Sequence, residues 1–176
     1  MEQILLGEQE EASRFVPPHH DDSGGGSAGF MNPPGYDNSL QTFGEESTEA
    51  EFREAAAALH GYLDARVAGN WAAACQYLAP SLADAYRETE TPFENSLGAV
   101  KEGGHGCAAA LWYRFHKTPT DILEAEADVD AGSLRIEGDN GYLLVHDSEE
   151  VSRGIGVSRE DGHWKLSTVD TLSLPL

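Results

Sequence analysis

Two cysteines, seven histidines and 31 acidic side chains are the residues of this 176-residue chain best suited to chemistry. Cys75 sits in the alanine-rich helical run "AGNWAAACQYLAPSL", and Cys107 closes "GGHGC". Such a pair admits three readings. The thiols could be small buried fillers. One could be a nucleophile, which requires a neighbouring base and a lowered pKa. Or they could join in a disulfide, since two cysteines leave no odd thiol. "HHDD", His19 to Asp22, supplies imidazole and carboxylate groups of the kind that ligate transition metals. Adjacent residues on a flexible chain are poorly preorganised, so they are read as solvated tail and no metal site is assigned. No Ser-His-Asp set with recognisable local motifs, no phosphate loop and no zinc-ligand cluster stands in the chain, and no cofactor is expected.

The charge balance narrows the partners. Eleven Lys and Arg against 31 Asp and Glu give a formal net charge of −20. Nucleic-acid binding is driven by clustered cations, and so is docking on anionic lipid, so neither is expected. High negative charge mainly promotes solubility. There is no run of 18 apolar residues to span a membrane. The opening "MEQILLGEQEE" lacks the basic start and the apolar length of a signal peptide. Either the protein is cytoplasmic, or Met1 stands downstream of a removed export signal.

The elements that must position these groups begin near residue 48. Residues 1–48 hold seven of the 19 glycines, four of the eight prolines, and nine acidic residues against the single basic Arg14. Without a periodic apolar pattern they read as a disordered acidic tether. "TEAE" then has capping-box spacing, with Thr48 as N-cap and Glu51 three residues on. Phe52, Ala56, Leu59, Leu63 and Val67 form the stripe of an amphipathic helix. Gly69 stops it. Asn70 caps a second helix whose inner face carries Trp71, Ala74, Cys75 and Leu78. "LADAYRE" gives two more turns after Pro80, and Thr89–Gly106 reads as loop. Helix returns over Cys107–His116, with Pro119 limiting it and a short link around Ile122. Four strand-like runs follow, joined by the hairpin signals "GDNG" and "EDGH". Helices followed by an antiparallel meander predict an α+β fold.

This order of elements resembles the nuclear-transport-factor-2-like superfamily over Glu49–Leu176, about 128 residues. "YLDARVAGNWAAACQYLAPSL" is similar to its first two helices, with Gly-Asn-Trp between them and Leu-x-Pro at the end. "GSLRIEGDNGYLLVHD" and "GIGVSREDGHWKLSTV" resemble its last strands, where an acid-Gly turn precedes Trp-Lys-Leu. The resemblance implies helices wrapped by a curved antiparallel sheet, a cone with a pocket, spanning residues 49–176. The closest subgroup comprises exported proteins and lipoproteins of high-GC Gram-positive bacteria. These pair a cysteine of the second helix with one in a Gly-Gly-x-x-Cys segment, here Cys75 and Cys107. A bridge would close about 31 residues and stabilise the fold by roughly 3–4 kcal/mol. It would also place the domain outside the reducing cytosol, lifted on its tether from a lipid anchor upstream of Met1.

Enzymes of the superfamily put acids, histidines and tyrosines inside the cone. The matching candidates are Tyr62, Asp64, His105, Tyr113, Asp128, Asp130 and His146, and Trp164 joins the aromatic lining. Asp64 falls beside the apolar stripe, Asp128 and Asp130 sit in a generally acidic run, and Tyr113 is most economically core packing. His146 is the strongest, because "YLLVHD" should alternate in and out of the pocket. The aromatic inventory supports a pocket more readily than a reaction centre. The expected function is a non-catalytic extracytoplasmic accessory domain binding a small apolar ligand or a protein partner. The alternatives are an isomerase, dehydratase or cyclase acting on a hydrophobic carbonyl compound, or a structural module that homodimerises through its open sheet face.

Overall fold

The computed structural model describes residues 19, 21, 26–35, 37–89, 106–146 and 152–169. Among them the fold is α+β. Five helices are α1 (Glu49–Val67), α2 (Trp71–Gln76), α3 (Pro80–Thr89), α4 (Cys107–Phe115) and α5 (Thr120–Ala127). Five strands are β1 (Glu45–Glu46), β2 (Asp130–Glu137), β3 (Asn140–His146), β4 (Ser152–Glu160) and β5 (His163–Leu166). They form one open antiparallel sheet in sequence order.

Local chemistry sets the boundaries of α1. The Glu51 N–H donates to Thr48 Oγ1 at 3.3 Å, and the Thr48 N–H donates to Glu51 Oε2 at 3.0 Å, completing the capping box. At the other end Gly69 takes φ +69°, while Gly69 N–H donates to Arg66 O and Asn70 N–H to Ala65 O. That is a Schellman stop, which only a residue tolerant of positive φ completes without strain. Asn70 Oδ1 then accepts from Ala73 N–H at 3.1 Å and starts α2.

The apolar stripe of α1 is buried throughout, and so are Ala55, Tyr62 and Arg66 on adjoining positions. The reason is its central place: α1 packs against β2, β3 and β5 on one side and against α2 and α5 on others. Alternation divides the sheet. Leu134, Leu143, Val145, Ile155, Val157, Trp164 and Leu166 face the helices and form the core. Arg135, Tyr142, Leu144 and His146 face the other way.

Two elements differ from expectation. The link around Ile122 is the helix α5, whose Leu123 and Ala127 reach the core. Pro119 precedes its first turn, where a missing N–H removes no helical bond, so the proline starts a helix as well as limiting the previous one. The second difference lies in residues 26–35 and 37–46, assigned by composition to the tether. They strap the sheet face away from the helices. Phe30 is 6% exposed and stacks on His146 with ring centroids 4.2 Å apart. Phe43 meets Tyr142 edge-on at 5.0 Å, Leu40 packs over Gly154, and β1 pairs with β2. Arg135 fastens the strap, donating to the carbonyls of Phe43 at 2.8 Å and Gly44 at 2.6 Å. Scattered aromatic residues in a Gly/Pro-rich stretch are invisible to a periodicity argument, yet sufficient when a sheet face awaits them. Residues 1–18 lie outside the described residues.

Candidate functional site

At the helical side of the core the side chains of α1, α3, α4 and α5 bring polar groups into an apolar setting. Tyr62 and Arg66 are one turn apart on α1, so they share a face. Tyr62 is 0% exposed and its hydroxyl has no hydrogen-bond partner among the described residues. Burial pushes its pKa well above the ordinary tyrosine value, outweighing the opposing pull of the Arg66 charge, while Tyr86 and Glu126 push the same way as burial. The group therefore stays a neutral hydroxyl at any physiological pH. Arg66 donates through one terminal nitrogen to Glu126 Oε2 of α5 at 2.6 Å, the Arg66 side chain 4% and the Glu126 side chain 10% exposed. Its guanidinium lies 3.9 Å from the Phe115 ring centroid and 5.4 Å from that of Tyr62, a cation clasped between aromatic faces. Trp71 of α2 stacks on Phe115 at 6.5 Å. Arg66 Nε is buried without a hydrogen-bond partner among the described residues.

Buried polar groups are normally satisfied, so two orphans on one helix face are a chemical signal. The Tyr62 hydroxyl is free to donate, and Arg66 Nε–H can only donate. What suits such a pair is an acceptor oxygen on an otherwise apolar body. Proton abstraction is a different demand. The carboxylate acting on Tyr62, Glu126, is already bound by Arg66.

The other candidates scatter. His146 points away from the core and stacks on Phe30 of the strap, because odd residues of β3 face the helices and even ones do not. Tyr113 is 42% exposed and stands outside the core, while its neighbour Trp112 stacks on His116 at 4.0 Å. Trp164 is buried at 2% with Nε1 lacking a hydrogen-bond partner among the described residues, and Arg159 lies 4.7 Å over its ring. Asp128 and Asp130 are exposed, and Asp64 bonds to His19 at 3.3 Å. His105 lies outside the described residues. Cys75 and Cys107 form a disulfide with Cα atoms 6.1 Å apart, joining α2 to α4.

From "HHDD", the described His19 and Asp21 dock on α1. Asp21 accepts from the Ala131 N–H at 2.9 Å and lies 2.9 Å from His60 Nε2. His19 stacks on His60 at 3.7 Å. Burial opposes the Asp21 carboxylate, but the His60 and Ala131 bonds and the neighbouring imidazoles outweigh it, holding its pKa below the ordinary aspartate value.

Arg66 and Glu126 were not legible as a pair, since 60 residues separate them. One signal was present: Arg66 follows Leu59, Tyr62 and Leu63 at helical spacing, so the buried stripe runs through it. Among the described residues no helix is long and apolar enough to cross a membrane. No family model, no curated protein and no solved structure matches the chain.

Proposed function

We propose that this chain is a non-catalytic domain of the nuclear-transport-factor-2-like kind, a cone with its pocket at the helical end of the core. In this reading it works outside the cytoplasm and binds a small, mainly apolar ligand through one acceptor oxygen. The observation that carries the reading is the buried, unsatisfied donor pair, Tyr62 hydroxyl and Arg66 Nε. An empty donor of this kind costs roughly 1–3 kcal/mol, which a ligand oxygen would recover. The Cys75–Cys107 bridge supports the compartment, because disulfides persist where thiols are not kept reduced. The ligand reading is favoured over a dimerisation module because the outer sheet face is occupied by the chain's own Phe30, Leu40 and Phe43. It is favoured over an isomerase, dehydratase or cyclase because His146, the expected base, faces the strap.

The test compares acetophenone, a small aromatic ketone, with ethylbenzene, which lacks the oxygen. By titration calorimetry the ketone should bind about tenfold tighter, and Tyr62→Phe should erase the difference. Equal binding of the two compounds, or binding of neither, removes the proposal.

A further inference from the structure

We propose that a second cleft, on the strapped face of the sheet, binds a single uncharged sugar ring. Its volume is about 310 Å³, at the lower end of the roughly 300–1,000 Å³ common for ligand pockets. It is independent of Tyr62 and Arg66, which lie on the opposite side of the sheet.

Both walls are held in place before any ligand arrives. One is the strap residue Phe43, edge-on to Tyr142 at an interplanar angle of 88°. The backbone at Phe43 and Gly44 is fixed by the Arg135 guanidinium, which also bonds Glu46 at 3.1 Å. The other wall is the turn after β5. Ser167 N–H and Thr168 N–H donate to Gly156 O at 2.8 and 3.2 Å, and Gly156 N–H donates to Thr168 Oγ1 at 2.9 Å. Only glycine at 156 lets that segment down onto the sheet, since a Cβ there would strike the Thr168 and Ser167 hydroxyls. Glu137 and Asn140, paired across the β2–β3 turn, close the end.

The chemistry of the lining selects the ligand. The side-chain polar atoms of Glu137, Asn140, Tyr142 and Ser167 make no hydrogen bond to other described residues. Together they offer hydroxyl, amide and carboxylate groups, donors and acceptors mixed, as a polyol requires. The half-buried Tyr142 adds an aromatic ring to the lining, the kind of group against which the C–H face of a pyranose packs. An anionic ligand is disfavoured: Arg135, the cation of this region, is committed to the strap, and Glu137 and the −20 net charge repel it. A wholly apolar ligand would desolvate Asn140 and Glu137 without replacing their hydrogen bonds. A neutral, hydroxyl-rich ring of one unit fits each condition.

The test is amide chemical-shift mapping on the ¹⁵N-labelled chain with methyl β-D-glucopyranoside, methyl β-D-galactopyranoside and methyl α-D-mannopyranoside, each to about 50 mM. At least one should move the Gly141, Tyr142 and Gly156 amides with a Kd on the order of 1–10 mM. Asn140→Ala, which keeps the Phe43–Tyr142 pair, should weaken binding about tenfold, and Tyr142→Ala, in a sample whose spectrum stays dispersed, should abolish it. If none of the three glycosides moves those amides, or if both variants bind as the parent does, the proposal is overturned.

Discussion

Arg66 shows how far one side chain departs from what its neighbours predict. Ten residues of α1 besides Arg66 are buried, nine of them apolar or aromatic and the tenth, His60, met by Asp21. Arg66 is there because Glu126 and two aromatic faces receive it. A buried ion pair gains little over a well-packed apolar pair, but removing one member strands the other. Arg66→Ala should therefore destabilise the fold by about 3–5 kcal/mol in urea denaturation, and Arg66→Met with Glu126→Leu should recover most of that loss. A single-variant cost below about 1 kcal/mol would mean that the pair is solvated like a surface one. Type and spacing singled out Tyr62 as a candidate, and it is buried on the core face of α1. They could not show that its neighbour one turn on was charged and paired, because the carboxylate comes from another helix.

At the level of elements, local signals did most of the work. Thr48, Gly69 and Asn70 each occupy the cap or stop that their own side chain or backbone freedom predicts. The turn "EDGH" places Asp161 at φ +51° and Gly162 at φ +84°, the two positive angles of a type I′ hairpin. In "GDNG" the positive angle falls on Gly138 alone, φ +62°, so the asparagine is the first residue of β3 instead of a turn residue. The α2–α4 bridge acts on the unfolded chain, closing a loop across a sequence separation of 32. Cys75→Ser with Cys107→Ser should lower stability by about 3–4 kcal/mol, read from the urea midpoint at unchanged slope. A loss within about 0.5 kcal/mol would show that the unbridged chain is already restrained.

The whole molecule carries −20 charges, and several of its acids nonetheless tie the N-terminal segment to the domain. Glu46 is opposed by burial but lowered by Ser133, Ser27 and Arg135. Glu51 is lowered by Thr48 and Arg159, and Asp21 by His60 and the Ala131 N–H against its burial. Each folded pKa lies below its ordinary value, 3.8 for Asp and 4.5 for Glu. Their stabilisation is therefore complete above those ordinary values and fades as pH falls through the lower folded ones. Self-repulsion changes in the opposite sense, easing as the remaining carboxylates protonate. The melting temperature at low salt should rise modestly from pH 7 to about 5, then fall below about pH 4, with amides of residues 26–46 exchanging first. A melting temperature that keeps climbing below pH 4 would show that repulsion, and not the strap's carboxylates, governs acid behaviour.

The sequence by itself determined the helix caps, the two tight turns, the alternation of the strands and the α+β class. These rest on interactions within a few residues, or on a period that one strand or helix displays alone. The cysteine partnership was legible from count and resemblance. Only the tertiary structure decided that the strap residues cover the sheet, that His146 turns from the core and that Arg66 finds Glu126. Each depends on which surface another part of the chain presents. No pattern within the segment itself encodes that.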